Sequence, residues 1–303
     1  MIKRSLLAQH CTSKTIALAA IVPNASVKVN MENKPLFTIH GARGTTAVSG
    51  RTFNRYGGET TCFSLATRQG ILIVDAGTGI IALGDQLMRQ NDLPPITIMF
   101  THFHLDHVIG LPLFKPLYRR CASITLMADP HRKENWPNCL RTLVAPPFWP
   151  LDLRHFGAAI RFQPLPRQNR RMRAYGVEIA WHPLRHPQQC QAYRFSIQKH
   201  SFVIATDHEL DADTADGAFT NFCRRASVLI ADAQYTPAEY STQRGWGHGT
   251  WAACARLAAA AGVGKLILTH HDRRRRDSQI DRLVRQARRL FPATRAARSG
   301  MRV

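Results

Sequence analysis

Short apolar runs bounded by turn-forming residues recur eleven times between residues 36 and 271. Runs of this length and setting are typical of β-strands. Three longer stretches, at residues 80–88, 250–261 and 280–291, instead repeat apolar residues at the helical spacing. Strands dominate the first part of the chain, and strands alternate with helices in the later part. This order predicts an α/β (α+β) fold with a pair of mixed sheets and outer helices, and it disfavours a single Rossmann sheet.

The length and composition predict one large domain at residues 31–303. The chain has 303 residues, of which 45% are hydrophobic, and no apolar run reaches the ~20 residues that a membrane-spanning helix needs. We treat residues 1–30 as a dispensable leader, and Met31 as an alternative start. Lys3, Arg4 and Lys14 precede the run IALAAIV in the order of a secretory signal. That run is short, however, and the seven cysteines form no CxxC pair, so we expect a cytoplasmic protein, with export as the alternative.

The formal charge of +21, from 41 Lys and Arg against 20 Asp and Glu, predicts anionic partners. Residues 271–303 hold eleven Arg and three Asp, which gives a basic C-terminal helix and tail. An Arg-rich composition without a nucleic-acid partner remains the alternative. Residues 129–175 are rich in proline and arginine, and we expect them to form an irregular cover over the site and not a second domain.

Several predicted strands end at a residue that can bind a metal ion. The run ITIMF is followed by HFHLDH, and other apolar runs are followed directly by Asp75, Asp207, Asp232 and His270. Strand ends at one edge of a layered fold converge, so these side chains are expected to share one cleft. Imidazole and carboxylate ligands suit Zn²⁺ or a similar transition ion, and a carboxylate can bridge two ions.

The HxHxDH segment, preceded by VDAGTG and followed downstream by a His, an Asp and a His, resembles the metallo-β-lactamase fold superfamily. The resemblance covers about residues 36 to 280. It implies a four-layer αβ/βα sandwich of two mixed β-sheets, two divalent ions (zinc first, manganese or iron as alternatives), and a bracing role for Asp75. The ligands that it implies are His102, His104 and His186 for one ion, Asp106, His107 and His270 for the other, and Asp207 between them.

Two of these histidines have neighbours that compete for the same role. His186 is preferred to His182 and His200, because it lies in a His-Pro segment before a strand, as in the superfamily. His270 is preferred to His271, because it directly follows the run LILT.

The segment GWGHGTWAACARLAAAAGVGKLILTHHD resembles ribonuclease Z and related phosphodiesterases. The resemblance implies that His248 is the acid near the leaving oxygen and that Thr250 caps the following helix. The sequence departs from the ribonuclease pattern at Gly249, where Ser is usual. The catalytic residues that we expect are His248, Asp106 and Asp207.

The expected reaction is cleavage of a phosphodiester, either a cyclic nucleotide or an RNA 3′ end, by a metal-bound hydroxide. Ribonuclease Z enzymes that hold tRNA carry an arm between the third histidine and the bridging aspartate, whereas His186 and Asp207 are only 21 positions apart. The segment around Tyr56 and Gly58 is instead similar to cyclic-nucleotide phosphodiesterases, although Glu59 stands where Asn is usual. The alternatives are a thioesterase or lactonase of the same fold, or a basic nucleic-acid-binding protein with a structural metal site. A homodimer is compatible with each.

Overall fold

The computed structural model describes residues 35–131, 135–210 and 217–303, and the predicted leader lies outside them. Fourteen strands are present in this part of the chain. They are β1 (Leu36–Gly41), β2 (Cys62–Ala66), β3 (Ile71–Val74), β4 (Ile96–Met99), β5 (Ser123–Ala128), β6 (Ala159–Pro164), β7 (Arg171–Ala174), β8 (Val177–Leu184), β9 (Cys190–Ile197), β10 (His200–Ala205), β11 (Val228–Asp232), β12 (Leu266–Thr269), β13 (Thr294–Ala296) and β14 (Met301–Arg302).

Seven α-helices connect or flank these strands, together with four short 3₁₀ turns, in the described residues. The helices are α1 (Gly79–Leu87), α2 (Leu105–Val108), α3 (Trp136–Leu143), α4 (Gly217–Cys223), α5 (Pro237–Tyr240), α6 (Trp251–Ala261) and α7 (Asp277–Leu290). The helical spacings in the sequence correspond to α1, α6 and α7. Within the described residues, no helix is both long and apolar enough to cross a bilayer.

The strands form two seven-stranded sheets. The first has the order β14-β1-β2-β3-β4-β5-β6, and the second has the order β13-β12-β11-β10-β9-β8-β7. In the first sheet, β3 to β6 run parallel and the pairs from β14 to β3 are antiparallel. In the second, β10 to β13 run parallel and the pairs from β7 to β10 are antiparallel. Both sheets are therefore mixed, as predicted.

Apolar side chains fill three layers, one between the sheets and one beneath the helices on each outer face. Strand β11 shows why its sequence is continuously apolar. Val228 and Ile230 pack between the sheets, whereas Leu229 and Ala231 pack against the helices on the other face. A strand buried on both faces needs apolar residues at every position. The αβ/βα sandwich predicted from the sequence is confirmed.

The carboxyl ends of the parallel strands in both sheets carry the polar residues found in the sequence. Loops after β3 and β4 leave the first sheet, and loops after β10, β11 and β12 leave the second. Residues 129–175, the predicted cover, contain α3 and the two strands β6 and β7, each the last strand of its sheet. Part of that stretch is therefore built into the sandwich.

Candidate metal centre

Three residues within two positions of the ends of buried strands have a left-handed backbone. The φ angles are 61° at Asp75, 55° at Asp207 and 57° at His270, and all three side chains are buried. Aspartate and histidine tolerate this conformation better than most residues, but it is still uncommon outside glycine. Such backbone conformations concentrate at functional sites, where the surrounding structure holds them. Here each one turns the chain sharply at the strand end.

The first group of ligand atoms comes from His102, His104, His186 and Asp207, which each offer one atom within 4.8 Å of the others. His104 Nδ1 lies 2.9 Å from His102 Nε2 and 3.3 Å from His186 Nε2. Asp207 Oδ1 lies 3.7 Å from His102 Nε2. Three imidazoles and a carboxylate thus face one point.

The second group comes from Asp106, His107 and His270, whose ligand atoms also lie within 4.8 Å of one another. Asp106 Oδ2 lies 3.4 Å from His107 Nε2 and 3.2 Å from His270 Nε2. Asp207 reaches this group too, with Oδ2 3.1 Å from His107 Nε2 and Oδ1 3.3 Å from His270 Nε2. The Asp207 carboxylate therefore lies between the two groups.

The donor atoms fit divalent ions such as zinc. His107 Nε2 is buried and has no hydrogen-bond partner among the described residues, although Asp207 Oδ2 lies 3.1 Å away. Several ring nitrogens face one another, an arrangement that neutral imidazoles leave poorly satisfied without a cation. Imidazole nitrogen with carboxylate oxygen is a common donor set for transition ions.

Hydrogen bonds at the opposite ring nitrogen fix three of the imidazoles. His107 Nδ1 donates to Asp75 Oδ2 at 2.8 Å, His270 Nδ1 donates to Gln234 Oε1 at 2.8 Å, and His186 Nδ1 donates to Gly247 O at 3.0 Å. Each bond places the proton on Nδ1 and leaves Nε2 for a metal ion. Asp75 also accepts hydrogen bonds from the Thr101 backbone N–H and hydroxyl, both at 2.8 Å. It therefore connects the end of β3 to the ligand turn, residues 102–107, which carries four of the candidate ligands.

The buried imidazoles of the site fall into two classes according to the direction in which their pKa values are shifted. Burial, with a smaller contribution from His107, holds the pKa of His102 well below its usual value. For His107 burial acts in the same direction, but Asp207 and Asp106 outweigh it and raise its pKa well above the usual value. Burial is also outweighed at His270, where Asp207 and Asp106 raise the pKa to about 9. The Asp106 and Asp207 carboxylates thus favour positive charge beside His107 and His270, and a divalent cation would be favoured at the same place.

His248 lies at the edge of the cluster, with 12% of its side chain exposed. Its Nδ1 donates to Asp232 Oδ2 at 2.8 Å, and its ring stacks on His270 with centroids 4.9 Å apart. One ligand atom of His248 also lies within 4.8 Å of Asp207 and His270. Because Asp232 occupies Nδ1, the nitrogen left for other chemistry is Nε2. The Thr250 hydroxyl accepts from Ala253 N at 3.1 Å and caps α6, as predicted.

The competing histidines lie outside these clusters. The His182 ring packs on Phe219 and Phe222, and His200 is the exposed first residue of β10. His271 Nε2 donates to Ala297 O at 3.0 Å, and burial lowers its pKa to about 3. The geometry therefore brings His186 and His270 into the site.

Residues that the sequence did not single out complete the site. Gln234 orients His270, and Thr45 N donates to Asp106 Oδ2 at 2.8 Å. Gly44, in the loop after β1, packs against the ring of His270. A Cβ at this position would lie 2.3 Å from His270 Nδ1, so only glycine fits there. The one signal in the sequence is the position of Gln234, two residues after the strand-end Asp232.

Comparison with known proteins agrees with this geometry. The family described as "Beta-lactamase superfamily domain" matches residues 71–271. The chain belongs to the metallo-β-lactamase fold superfamily. Ribonuclease Z of Bradyrhizobium sp. (strain ORS 278) is 27% identical over 275 positions, which cover 75% of this chain and 87% of the relative.

Two solved structures share the fold. The metallo-β-lactamase fold protein YhfI of Bacillus subtilis superposes with a TM-score of 0.67 at 18% identity, over 89% of this chain and 99% of YhfI. A diphosphatase of the PhnP family gives a TM-score of 0.64 at 16% identity, over 89% and 97% of the two chains. Within the superfamily, this chain belongs to the ribonuclease Z-like branch and is a metal-dependent hydrolase that uses divalent ions.

Proposed function

We propose that this metallo-β-lactamase fold protein is a dinuclear phosphodiesterase. The observation that supports this most strongly is the position of Asp207, whose two carboxylate oxygens face both ligand groups. One ion would be held by the first group and the other by the second, with Asp207 shared between them. The remaining ligands are His102, His104 and His186 for one ion, and Asp106, His107 and His270 for the other.

Two divalent ions at these positions, with zinc as the first candidate, would lower the pKa of a shared water and neutralise charge on the phosphoryl oxygens. The protein holds the rings that would bind them in fixed tautomers, through Asp75, Gln234 and Gly247. Since these contacts exist before substrate arrives, the site needs little reorganisation during the reaction.

His248 is the group that protonates the leaving oxygen in this proposal. Asp232 is buried and accepts a hydrogen bond from His248 Nδ1, which orients the ring. Nε2 can then carry a second proton and donate it to the departing alkoxide. General-acid catalysis of this kind commonly contributes a factor of about 10² to 10⁴ to the rate. Helix α6 begins three residues after His248, and its positive N-terminal end favours an anionic substrate.

Two sources of phosphodiester compete for the site. The ribonuclease Z relative supports an RNA 3′ end, and the diphosphatase of the PhnP family supports a small phosphorylated molecule. The segment between His186 and Asp207 consists of the compact pair β9 and β10, which supports a small substrate such as a cyclic nucleotide.

An apolar pocket beside the ligand turn supports a second candidate, a thioesterase or lactonase. The pocket has a volume of about 220 Å³. Two of its side chains, Leu105 and Phe148, are 62% and 70% exposed. The acyl chain of a thioester or the ring of a lactone could occupy this apolar pocket. The other lining residues include Phe103, Val108, Leu140 and Leu143.

A substrate panel tests the proposal, with metal content measured on the same samples. The panel contains a chromogenic phosphodiester, a cyclic nucleotide, an RNA with a 3′ extension, a thioester and a lactone. We expect the unmodified parent protein, and a chain starting at Met31, to cleave phosphodiesters. D207A should lose at least ~10³-fold in kcat because the shared ligand is gone. H200A, at the exposed start of β10, should match the parent. A parent that is fully loaded with metal but cleaves no member of the panel contradicts the enzyme proposal and favours a structural metal site.

A further inference from the structure

Glu209 is a buried carboxylate, 4% exposed, that the proposed chemistry does not use. It lies two residues after Asp207, beyond the end of β10. Its oxygens accept three hydrogen bonds from one stretch of chain: Gly245 N at 2.8 Å and the Tyr240 hydroxyl at 2.9 Å bond to Oε1, and Gly247 N at 3.0 Å bonds to Oε2. A single side chain therefore anchors the loop that precedes α6.

Glu209 and the neighbouring His208 also bind the residue before His186. Glu209 N donates to Arg185 O at 2.9 Å, and Arg185 N donates to His208 Nδ1 at 3.2 Å. Residues 185–186, 207–209 and 245–248 are thus connected through Glu209 and its neighbour.

The C-terminal end of the anchored loop, Gly247 and His248, contacts the site. Gly247 O accepts from His186 Nδ1 at 3.0 Å, and a Cβ at Gly247 would lie 2.2 Å from the same nitrogen. The φ of Gly247 is 85°, which glycine adopts readily. His248 is the next residue, so a shift of Gly247 moves His186 and His248 together.

We propose that Glu209 is a positioning residue: it fixes the 245–248 loop, and through it the ring of His186 and the direction of His248. This inference rests on the proposed function, because it takes His186 as a ligand and His248 as the acid.

The geometry requires a carboxylate with both oxygens free to accept. Oε1 accepts from Gly245 N and from the Tyr240 hydroxyl, and Oε2 accepts from Gly247 N, so neither oxygen has room to carry a proton toward these donors. A glutamine has the same size, but its amide NH₂ would face one of the two backbone N–H groups and lose that bond. Glu209→Gln is therefore a conservative variant that releases one half of the loop.

Cobalt titration followed by visible absorption tests this role without relying on turnover. We expect E209Q to weaken binding of the ion held by His102, His104 and His186 by ~10- to 100-fold, the usual effect of losing an outer hydrogen bond at a metal site, and to leave the other ion at parent affinity. The matched control is D281N, because Asp281 also accepts from a tyrosine hydroxyl, that of Tyr56 at 2.7 Å, but lies on α7. We expect D281N to bind both ions as the parent does.

Three outcomes decide the matter. Parent-like affinity of E209Q for both ions overturns the proposal, and so does an equal loss at both sites, since that indicates general loosening. If E209Q fails to fold, E209D, which keeps the charge but shortens the reach, carries the same comparison. Failure of the proposed function is separate, because it appears as absence of phosphodiester turnover in the parent, whereas the titration measures the role of Glu209 directly.

Discussion

At the scale of single residues, His248 gives the sharpest prediction about chemistry. Its Nδ1 proton is held by Asp232 at 2.8 Å, so its catalytic proton is on Nε2. If His248 protonates the leaving oxygen, H248A loses ~10²- to 10⁴-fold in kcat with an alkyl or ribose leaving group. The same variant loses little with p-nitrophenolate, which departs without a proton. Rates measured for both substrate types, at equal metal content, check this, and an equal loss with both would rule out the acid role.

His40 gives a prediction about stability and pH. The residue is buried against Ser64, 2.8 Å away, and burial lowers its pKa from the usual 6.5 to about 4. The folded protein therefore binds this proton less readily than the unfolded chain, so stability is full above pH 6.5 and falls as the pH falls toward 4. The cost should be about 2 kcal/mol between pH 7 and pH 5.

Urea unfolding of metal-free parent and H40Q at those two pH values measures it. The variant should show a pH dependence smaller by this amount, because every other titrating group is common to both proteins. Identical pH dependences would show that His40 is not the group responsible.

The residues of the metal centre differ in how far the sequence could predict them. The ligands of the HFHLDH segment, Asp207 and His270 follow apolar strands, so converging strand ends were enough to suggest their proximity, whereas His186 was expected only from the resemblance to the superfamily. Gln234 and Glu209 each lie two residues after a strand-end aspartate, and Thr45 lies in the loop after β1, but no local pattern indicates which residues they contact. Only the tertiary packing shows their contacts.

At the scale of elements, the loop after β1 packs against the ring of His270. A Cβ at Gly44 would lie 2.3 Å from His270 Nδ1, where it competes with Gln234. We expect G44A to displace this ring and lower both metal affinity and kcat by at least ~10-fold. The control is G217A, because no atom of the described residues lies within 4 Å of a Cβ there. Parent-like metal binding by G44A would show that the loop yields and does not position His270.

The sequence missed three short strands at the sheet edges, and it also missed the helices α2, α3, α4 and α5. Strands β7, β13 and β14 have the sequences RMRA, TRA and MR, and none contains an apolar run. Each exists because it pairs with a neighbouring strand, and pairing is a tertiary contact. The inner strands β3, β4, β11 and β12 are buried at every position and largely apolar, and they were predictable for that reason.

At the scale of the whole molecule, the charge of +21 makes substrate binding depend on salt. For a polynucleotide, the logarithm of the affinity falls linearly with the logarithm of the salt concentration. The slope is about −0.7 for each phosphate that the protein contacts on a single strand. We expect KM for an RNA end to rise steeply with salt and KM for a cyclic nucleotide to rise weakly, while kcat changes little. Equal and shallow slopes for both would indicate that the positive surface takes no part in binding.

The central claim is that Asp207 lies between two metal ions, and anomalous diffraction from zinc-loaded crystals tests it most directly. The account predicts two anomalous peaks in each chain, one beside His102, His104 and His186 and one beside His107 and His270, with Asp207 between them. A single peak, or two peaks with Asp207 in contact with neither, would contradict it.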